Sequence, residues 1–274
     1  MNQLGSTAAS MGTRDRVTLP PAVRAAVEAE IGEIRHVEPV SSGLNSAFAA
    51  VLHTADAAVF IKGMPEDHPG VRGQHREAAI APHIAGIAPR LRWHLNTAGW
   101  DLLGFDHLPG HTADLSPTSP DLAGLARTLA RLRELEPPTL PLPRIEQRWT
   151  GLADDADLAL LSGEHLLHTD LNPNNILISV GQAWLVDWAW PTLGAPWIDT
   201  ACAALWLIAE GHTPTAAETW ARTLPAWSRA PRNGLDTFVA VNARLWTTIA
   251  ADDPQPWKLA LRNAANLWLT HRSS

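Results

Sequence analysis

The chain has 274 residues, 46% of them hydrophobic and 18% charged, and a formal net charge of −7. This is the composition of a folded protein rather than a disordered one, and the length suits two lobes better than a single core. The acidic balance argues against a nucleic-acid surface, and no apolar run reaches the eighteen residues that a membrane span needs. Positions 1–13 lack a basic-then-apolar leader, so the expected location is the cytoplasm. The single cysteine, Cys202, sits in an apolar run and reads as a small buried hydrophobe.

In chain order, residues 1–14 carry no pattern and read as disordered. Pro20-Pro21 precedes an Ala/Glu-rich helix over 22–31. Residues 37–40 and 47–53 read as strands around the turn Ser41-Ser42-Gly43-Leu44-Asn45-Ser46. Its backbone N–H groups suit phosphate, although an ordinary hairpin turn reads the same way. An apolar strand over 57–62 is closed by Lys62, one of two lysines against 19 arginines. A compact ammonium there suits phosphate oxygens in a way that a guanidinium does not. Residues 64–73 read as a polar loop and 74–80 as a helix carrying Glu77, the best-placed carboxylate to pair with Lys62, with Glu66 in reserve. Residues 89–94 and 100–105 read as strands around a turn at 96–99. The stretch 105–111 is a Gly/Pro-bounded connector.

Beyond it the chain turns helical. Leu122, Leu125, Leu129, Leu132 and Leu135 recur at helical spacing. Residues 144–152 are ambiguous. Asp154, Asp155 and Asp157 read as a solvated helix start, where carboxylates favour the dipole, with contact to a cationic substrate as the other reading. Residues 191–197 read as a loop, 198–209 as an apolar helix, and the remainder to 270 as helices. Most of the thirteen tryptophans are expected in the core.

The densest chemistry lies in His168-Thr169-Asp170-Leu171-Asn172-Pro173-Asn174-Asn175, followed by two apolar runs, 176–180 and 183–186, around Gly181-Gln182, and then Asp187. The two runs read as a β-hairpin. Folding it back brings Asn175 at its entry toward Asp187 at its exit, and an amide oxygen with a carboxylate makes a hard-oxygen site of the kind Mg2+ takes. Asp170 stands one loop away, available to a substrate hydroxyl. A catalytic-loop Asp, an Asn five residues on and a later metal-binding Asp are the parts of a kinase.

With His168-x-Asp170-x-x-Pro173-x-Asn175, Val186-Asp187 and Trp197-Ile198-Asp199-Thr200-Ala201 in this order, and Gly43-x-Asn45-Ser46, Lys62, Glu77 and the 102–110 stretch before them, the chain resembles the aminoglycoside phosphotransferase / choline kinase family over about residues 37–209. The resemblance implies an α+β, bilobal protein-kinase-like fold, with a small antiparallel-sheet N-lobe over 15–104, a hinge over 105–111 and a larger, mostly helical C-lobe over 112–274. It implies ATP as donor, with GTP the open alternative, and Mg2+. Ser42, Gly43, Asn45 and Ser46 would cover the phosphates. Lys62, positioned by Glu77, would bind them, and Asp106, His107 and Leu108 would hold the base. Asn175 and Asp187 would hold the metal, and Asp170 would act on the acceptor hydroxyl. His168 and Asp199 would support the catalytic loop.

Departures narrow the class. Thr169 stands where protein kinases carry Arg, Asp187-Trp188-Ala189 lacks the glycine of their metal motif, and neither a Gly-x-Gly-x-x-Gly nor an Ala-Pro-Glu is present. A small-molecule kinase is therefore expected. Its acceptor would be an aminoglycoside or other antibiotic, an amino alcohol or a sugar-like metabolite, and a cationic one is compatible with the acidic charge. The final stretch, 267–274, lacks the acidic or aromatic terminus that binds amines in some aminoglycoside kinases, which counts against an aminoglycoside. The alternative is a catalytically silent nucleotide-binding regulatory module of the same fold.

Overall fold

The computed structural model describes residues 19–40 and 46–274. The N-terminal stretch 1–14 and the turn residues Ser42, Gly43 and Asn45 lie outside the described residues. The chain divides between Pro109 and Gly110 into two compact units.

The first unit is built on a five-stranded antiparallel sheet of β1 (His36–Pro39), β2 (Phe48–His53), β3 (Ala58–Pro65), β4 (Leu91–Thr97) and β5 (Trp100–Asp106), in the order β1-β2-β3-β5-β4. Pro39, which cannot donate to a ladder, sits on the edge strand β1. Helix α1 (Pro21–Ile31) opens with proline and buries Val23 and Val27, one turn apart, in a core with Ala50, Leu52, Val59, Ile61 and Leu102. β3 continues to Pro65, so Lys62 lies inside the strand instead of closing it. Gly63 reads as a break but is needed as glycine: a Cβ there would meet the Leu102 side chain at 2.5 Å. β4 and β5 are joined by Ala98-Gly99, both at positive φ (48° and 74°), the two-residue turn that matches strand twist. Helix α2 (Val71–Ile80) starts before the expected 74. Gly73 costs a helix about 1 kcal/mol without stopping it. Gln74, Glu77 and Ile80, on successive turns, form the buried face of α2.

In the second unit, β6 (His111–Thr112), β8 (Ile176–Ser179) and β9 (Gln182–Leu185) form one antiparallel sheet, ordered β6-β8-β9. β7 (His165–Leu167) and β10 (Thr192–Gly194) form another. β10 lies in the stretch expected to be a loop; Pro191 and Pro196, which mask it in the sequence, stand just outside it. The hairpin turn is Val180-Gly181, again positive at both positions (49° and 72°). Helix α3 (Asp121–Leu132) covers the hairpin through Thr128, whose hydroxyl donates to Ala183 O at 2.7 Å. Two short helices follow, α4 (Ile145–Arg148) and α5 (Asp155–Ala159), the latter with Asp155 and Asp157 exposed in its first turn.

Helix α6 (Ile198–Ala209) is buried from Ile198 through Ile208, as an uninterrupted apolar run requires. Around it stand α7 (Pro214–Ala221), α8 (Arg232–Asp252) and α9 (Pro256–Arg272). α7 and α9 are tied by Glu218, which accepts from Trp268 Nε1 at 3.0 Å and from Arg272 at 2.7 Å. Six of the thirteen tryptophans are buried (149, 188, 197, 206, 227 and 268), and Trp93 and Trp100 pack half-buried against the core of the first unit. No helix of the described residues is long and apolar enough to cross a membrane.

Candidate active site

In the first unit, Lys62 pairs across the sheet with Ala49 on β2 and Leu103 on β5. Its ammonium contacts the carboxylate of Glu77 on the inward face of α2, with side-chain exposures of only 11% and 5%. Ser46 lies half-buried two residues before β2. Asp106 ends β5 opposite Val59, its carboxylate 3.7 Å from Arg92 Nε. His107 and Leu108 follow, both half-buried. Burial, and then the neighbouring His53, hold the His107 imidazole below its ordinary pKa.

In the second unit, β7 delivers the chain into the loop beginning at His168. The amides of His168 and Thr169 donate to the two oxygens of Asp199, each at 2.8 Å. Asp199 is in the first turn of the enclosed helix α6. The His168 ring is buried, shares a 3.0 Å hydrogen bond with Val186 O through Nε2, and meets Trp188 edge-on at 4.6 Å. Thr169 has φ 67°, a left-handed conformation that costs a threonine on the order of 1–3 kcal/mol and persists only when its surroundings enforce it. Here the Asp199 bond fixes its amide, and Arg148 on α4 donates to its hydroxyl at 2.7 Å. Asp187 is also left-handed, at φ 62°.

Asn172 caps the short turn Pro173–Asn175 by accepting from the Asn174 amide at 2.9 Å. The turn sets Asn175 at the entry of β8, where its carbonyl accepts from Val186 N at 2.9 Å. That bond draws hairpin entry and exit together and brings Asn175 beside the residue preceding Asp187. The Asn175 amide nitrogen donates to Asp170 Oδ2 at 2.9 Å, which leaves its oxygen as the end suited to a metal. Asp170, Asn175 and Asp187 are thus brought into one neighbourhood. Burial first, and then the charge of Asp187, raise the Asp170 pKa to about 6; the Asn175 hydrogen bond and the charge of Arg148 pull the other way. Asp199 is likewise raised to about 6 by burial, against its two backbone bonds and Arg148. Burial and the Asp199 charge push the Cys202 thiol up, so it stays protonated.

Arg148 is the residue that sequence reasoning missed. It donates to Thr169 Oγ1 at 2.7 Å and Thr192 Oγ1 at 2.6 Å, lies 5.4 Å from the centroid of the exposed Trp190 ring, and favours ionisation of both Asp170 and Asp199. It sits in a four-residue helix with no periodic signal, twenty-two positions before Asp170. Protein kinases carry arginine within the loop, at the place of Thr169; here a guanidinium reaches Thr169 from α4.

Residues 144–232, which include Arg148 and every loop residue above, match the family model described as the phosphotransferase enzyme family. No curated relative matches the chain. Among solved structures, a thermostable mutant of aminoglycoside phosphotransferase APH(4)-Ia in ternary complex with AMP-PNP and hygromycin B aligns at 14% identity and TM-score 0.62, covering 92% of this chain and 98% of that one. Choline kinase LicA from Streptococcus pneumoniae aligns at 13% identity and TM-score 0.62, covering 91% and 98%. An aminoglycoside phosphotransferase from Alicyclobacillus acidocaldarius aligns at 14% and 0.63, covering 96% and 98%. At such identities the likeness is one of fold, and the fold is protein-kinase-like.

Proposed function

We propose that the chain is an ATP- and Mg2+-dependent phosphotransferase that moves the γ-phosphoryl group to a hydroxyl of a small molecule. The observation that carries this reading is the trio Asp170, Asn175 and Asp187, gathered by the Val186–Asn175 bond on a loop held by Asp199. The family match over 144–232 spans all of these residues. Asn175 and Asp187 offer hard oxygen donors, and a dication would offset the repulsion that raises Asp170, so the donor set fits Mg2+. When bound, Mg2+ would neutralise charge on the nucleotide phosphates.

The chain's own groups supply the remainder. Lys62, oriented by Glu77, is a compact positive charge for the α- and β-phosphates. Asp106, His107 and Leu108 hold the base of ATP, or of GTP in its place. Asp170 orients the acceptor hydroxyl and takes its proton as the hydroxyl oxygen bonds to the γ-phosphorus. The bond from that phosphorus to the β,γ-bridging oxygen breaks, and the nucleoside diphosphate leaves. In the metal-free chain burial and the charge of Asp187 raise this carboxylate to about 6, and a general base of this kind acts by holding and then accepting the hydroxyl proton. The acceptors are hydroxyl compounds of the antibiotic, amino-alcohol or sugar-like kind. One structural neighbour was crystallised with hygromycin B and another is a choline kinase.

The test is ADP release from Mg·ATP with hygromycin B, other aminoglycosides, choline and simple sugars as separate acceptors, beside thermal melting with Mg·ATP alone. Release that depends on one acceptor class supports the reading. A melting shift without release for any acceptor would replace it with a silent nucleotide-binding module. No shift at saturating Mg·ATP would overturn both.

A further inference from the structure

A second cluster of ligating side chains lies within the first unit and takes no part in the chemistry above. His75 is on α2, His94 on β4 and Asp101 on β5. The register of the hairpin pairs Asn96 with Asp101 and His94 with Leu103, so His94 is the diagonal same-face neighbour of Asp101. Both imidazoles direct Nε2 at one carboxylate oxygen, Asp101 Oδ2, at 2.9 Å from His75 and 2.7 Å from His94. The three ligand atoms lie within 4.8 Å of one another, and among the described residues no other trio of His, Cys, Asp or Glu does so. The two rings stand 5.8 Å apart, tilted by 52°.

The surroundings have the form of a prepared site. The Asp101 side chain is fully buried, and its only salt-bridge partners among the described residues are these two histidines. Its other oxygen, Oδ1, and its backbone carbonyl both receive the Gln74 amide nitrogen, so the carboxylate is held in place with Oδ2 turned to the imidazoles. Such outer hydrogen bonds commonly fix the ligands of a metal. The histidines keep side-chain exposures of 53% and 29%, which gives an ion a path from solvent to a buried anion.

We propose that His75, His94 and Asp101 form a binding site for a divalent transition-metal ion of the zinc type. Two imidazole nitrogens select against Mg2+ and Ca2+, which take oxygen, and favour zinc and its neighbours. Zinc binds imidazole nitrogen at about 2.0–2.1 Å and carboxylate oxygen at about 2.0–2.2 Å, so its ligands stand about 3.3 Å apart. The carboxylate–imidazole distances here need to widen by only about half an ångström to reach that spacing. Three protein ligands with solvent at the fourth position complete a tetrahedral site. The ion would tie α2, the helix that also carries Glu77, to the β4–β5 hairpin. The site is independent of the phosphotransferase reading.

The experiment uses the full chain without a histidine tag, stripped with a chelator and held at about pH 7.5. Zinc chloride should raise the melting temperature while MgCl2 at the same concentration does not, and Co2+ should give the visible spectrum of a tetrahedral nitrogen–oxygen site. His75→Ala and His94→Ala should each abolish both signals. His53→Ala, in a separate group of histidines, should leave them. Zinc-edge X-ray absorption of the unsubstituted chain needs no variant and should count two imidazoles. No zinc-specific shift, a shift retained in both His75→Ala and His94→Ala, or an absorption edge without two imidazoles would overturn the assignment and leave the histidines as hydrogen-bond partners of a buried carboxylate.

Discussion

Lys62 meets a carboxylate of opposite charge across β3 and α2, whereas Asp170 meets one of its own sign. Lys62 is buried and Asp170 half-buried, and an isolated charge removed from water is costly. In the first unit the cost is offset by direct contact with Glu77, so the ammonium is secured in the resting chain. In the second, Asp170 has a neutral amide for its hydrogen-bond partner, the charge of Arg148 to favour ionisation, and Asp187 to oppose it. A charge that must be present throughout a reaction is paired. One that acts on a proton is left with a neutral partner.

The comparison can be broken at either end. The largest effect is expected at Asp170. Asp170→Ala should cut acceptor-dependent ADP release by about 10²–10⁴-fold, the usual worth of a general base, while the melting shift with Mg·ATP is kept. Full turnover would remove Asp170 from the chemistry. Next comes the ion pair. Lys62→Met leaves Glu77 buried beside an apolar group and should cost about 3–5 kcal/mol in denaturant melts. The double variant Lys62→Met/Glu77→Met should recover most of that stability without recovering nucleotide binding. Recovery of both would make the pair a packing device only.

Asp199 tests a third arrangement, a carboxylate settled by backbone amides. Asp199→Asn keeps one acceptor oxygen and loses the other, for an expected cost of about 1.5–3 kcal/mol, with turnover slowed through the displaced loop. Glu218 repeats the paired arrangement away from the site. Burial opposes its charge, but hydrogen bonds from Trp268 and Arg272 outweigh that and hold its carboxyl below the usual range. Its contribution to stability is therefore complete above the unfolded value of about 4.3 and lost as pH falls through the lower folded value. Urea melts across that range should be flatter for Glu218→Gln than for the unsubstituted chain. The smallest effect is expected where no charge is involved: Val180→Asn, at φ 49° in an exposed turn, should stabilise by up to about 1 kcal/mol and leave turnover alone.

Much of this was legible in the sequence, and the failures share a physical reason. The apolar runs that become α6, β8 and β9 stand out in the sequence by their composition and length. The polar loop announces its composition. β10 did not, because three residues between prolines look like a loop until β7 supplies a partner. The end of β3 and the start of α2 lie beyond the expected bounds at Gly63 and Gly73, residues with little strand or helix propensity, and only Leu102 shows why glycine is wanted at 63. Arg148, and the trio His75, His94 and Asp101, left no local pattern, since each acts on residues distant along the chain. Pairings set by tertiary contact are the ones a linear reading does not reach.

The two bonds from Asp199 to the loop have a kinetic consequence. Amides in irregular segments normally exchange with solvent deuterium through small, frequent openings. Those of His168 and Thr169 are instead fastened to the first turn of a helix buried along nearly its whole length. Their exchange should follow the slow, cooperative opening of α6 and not the motion of the loop in which they lie.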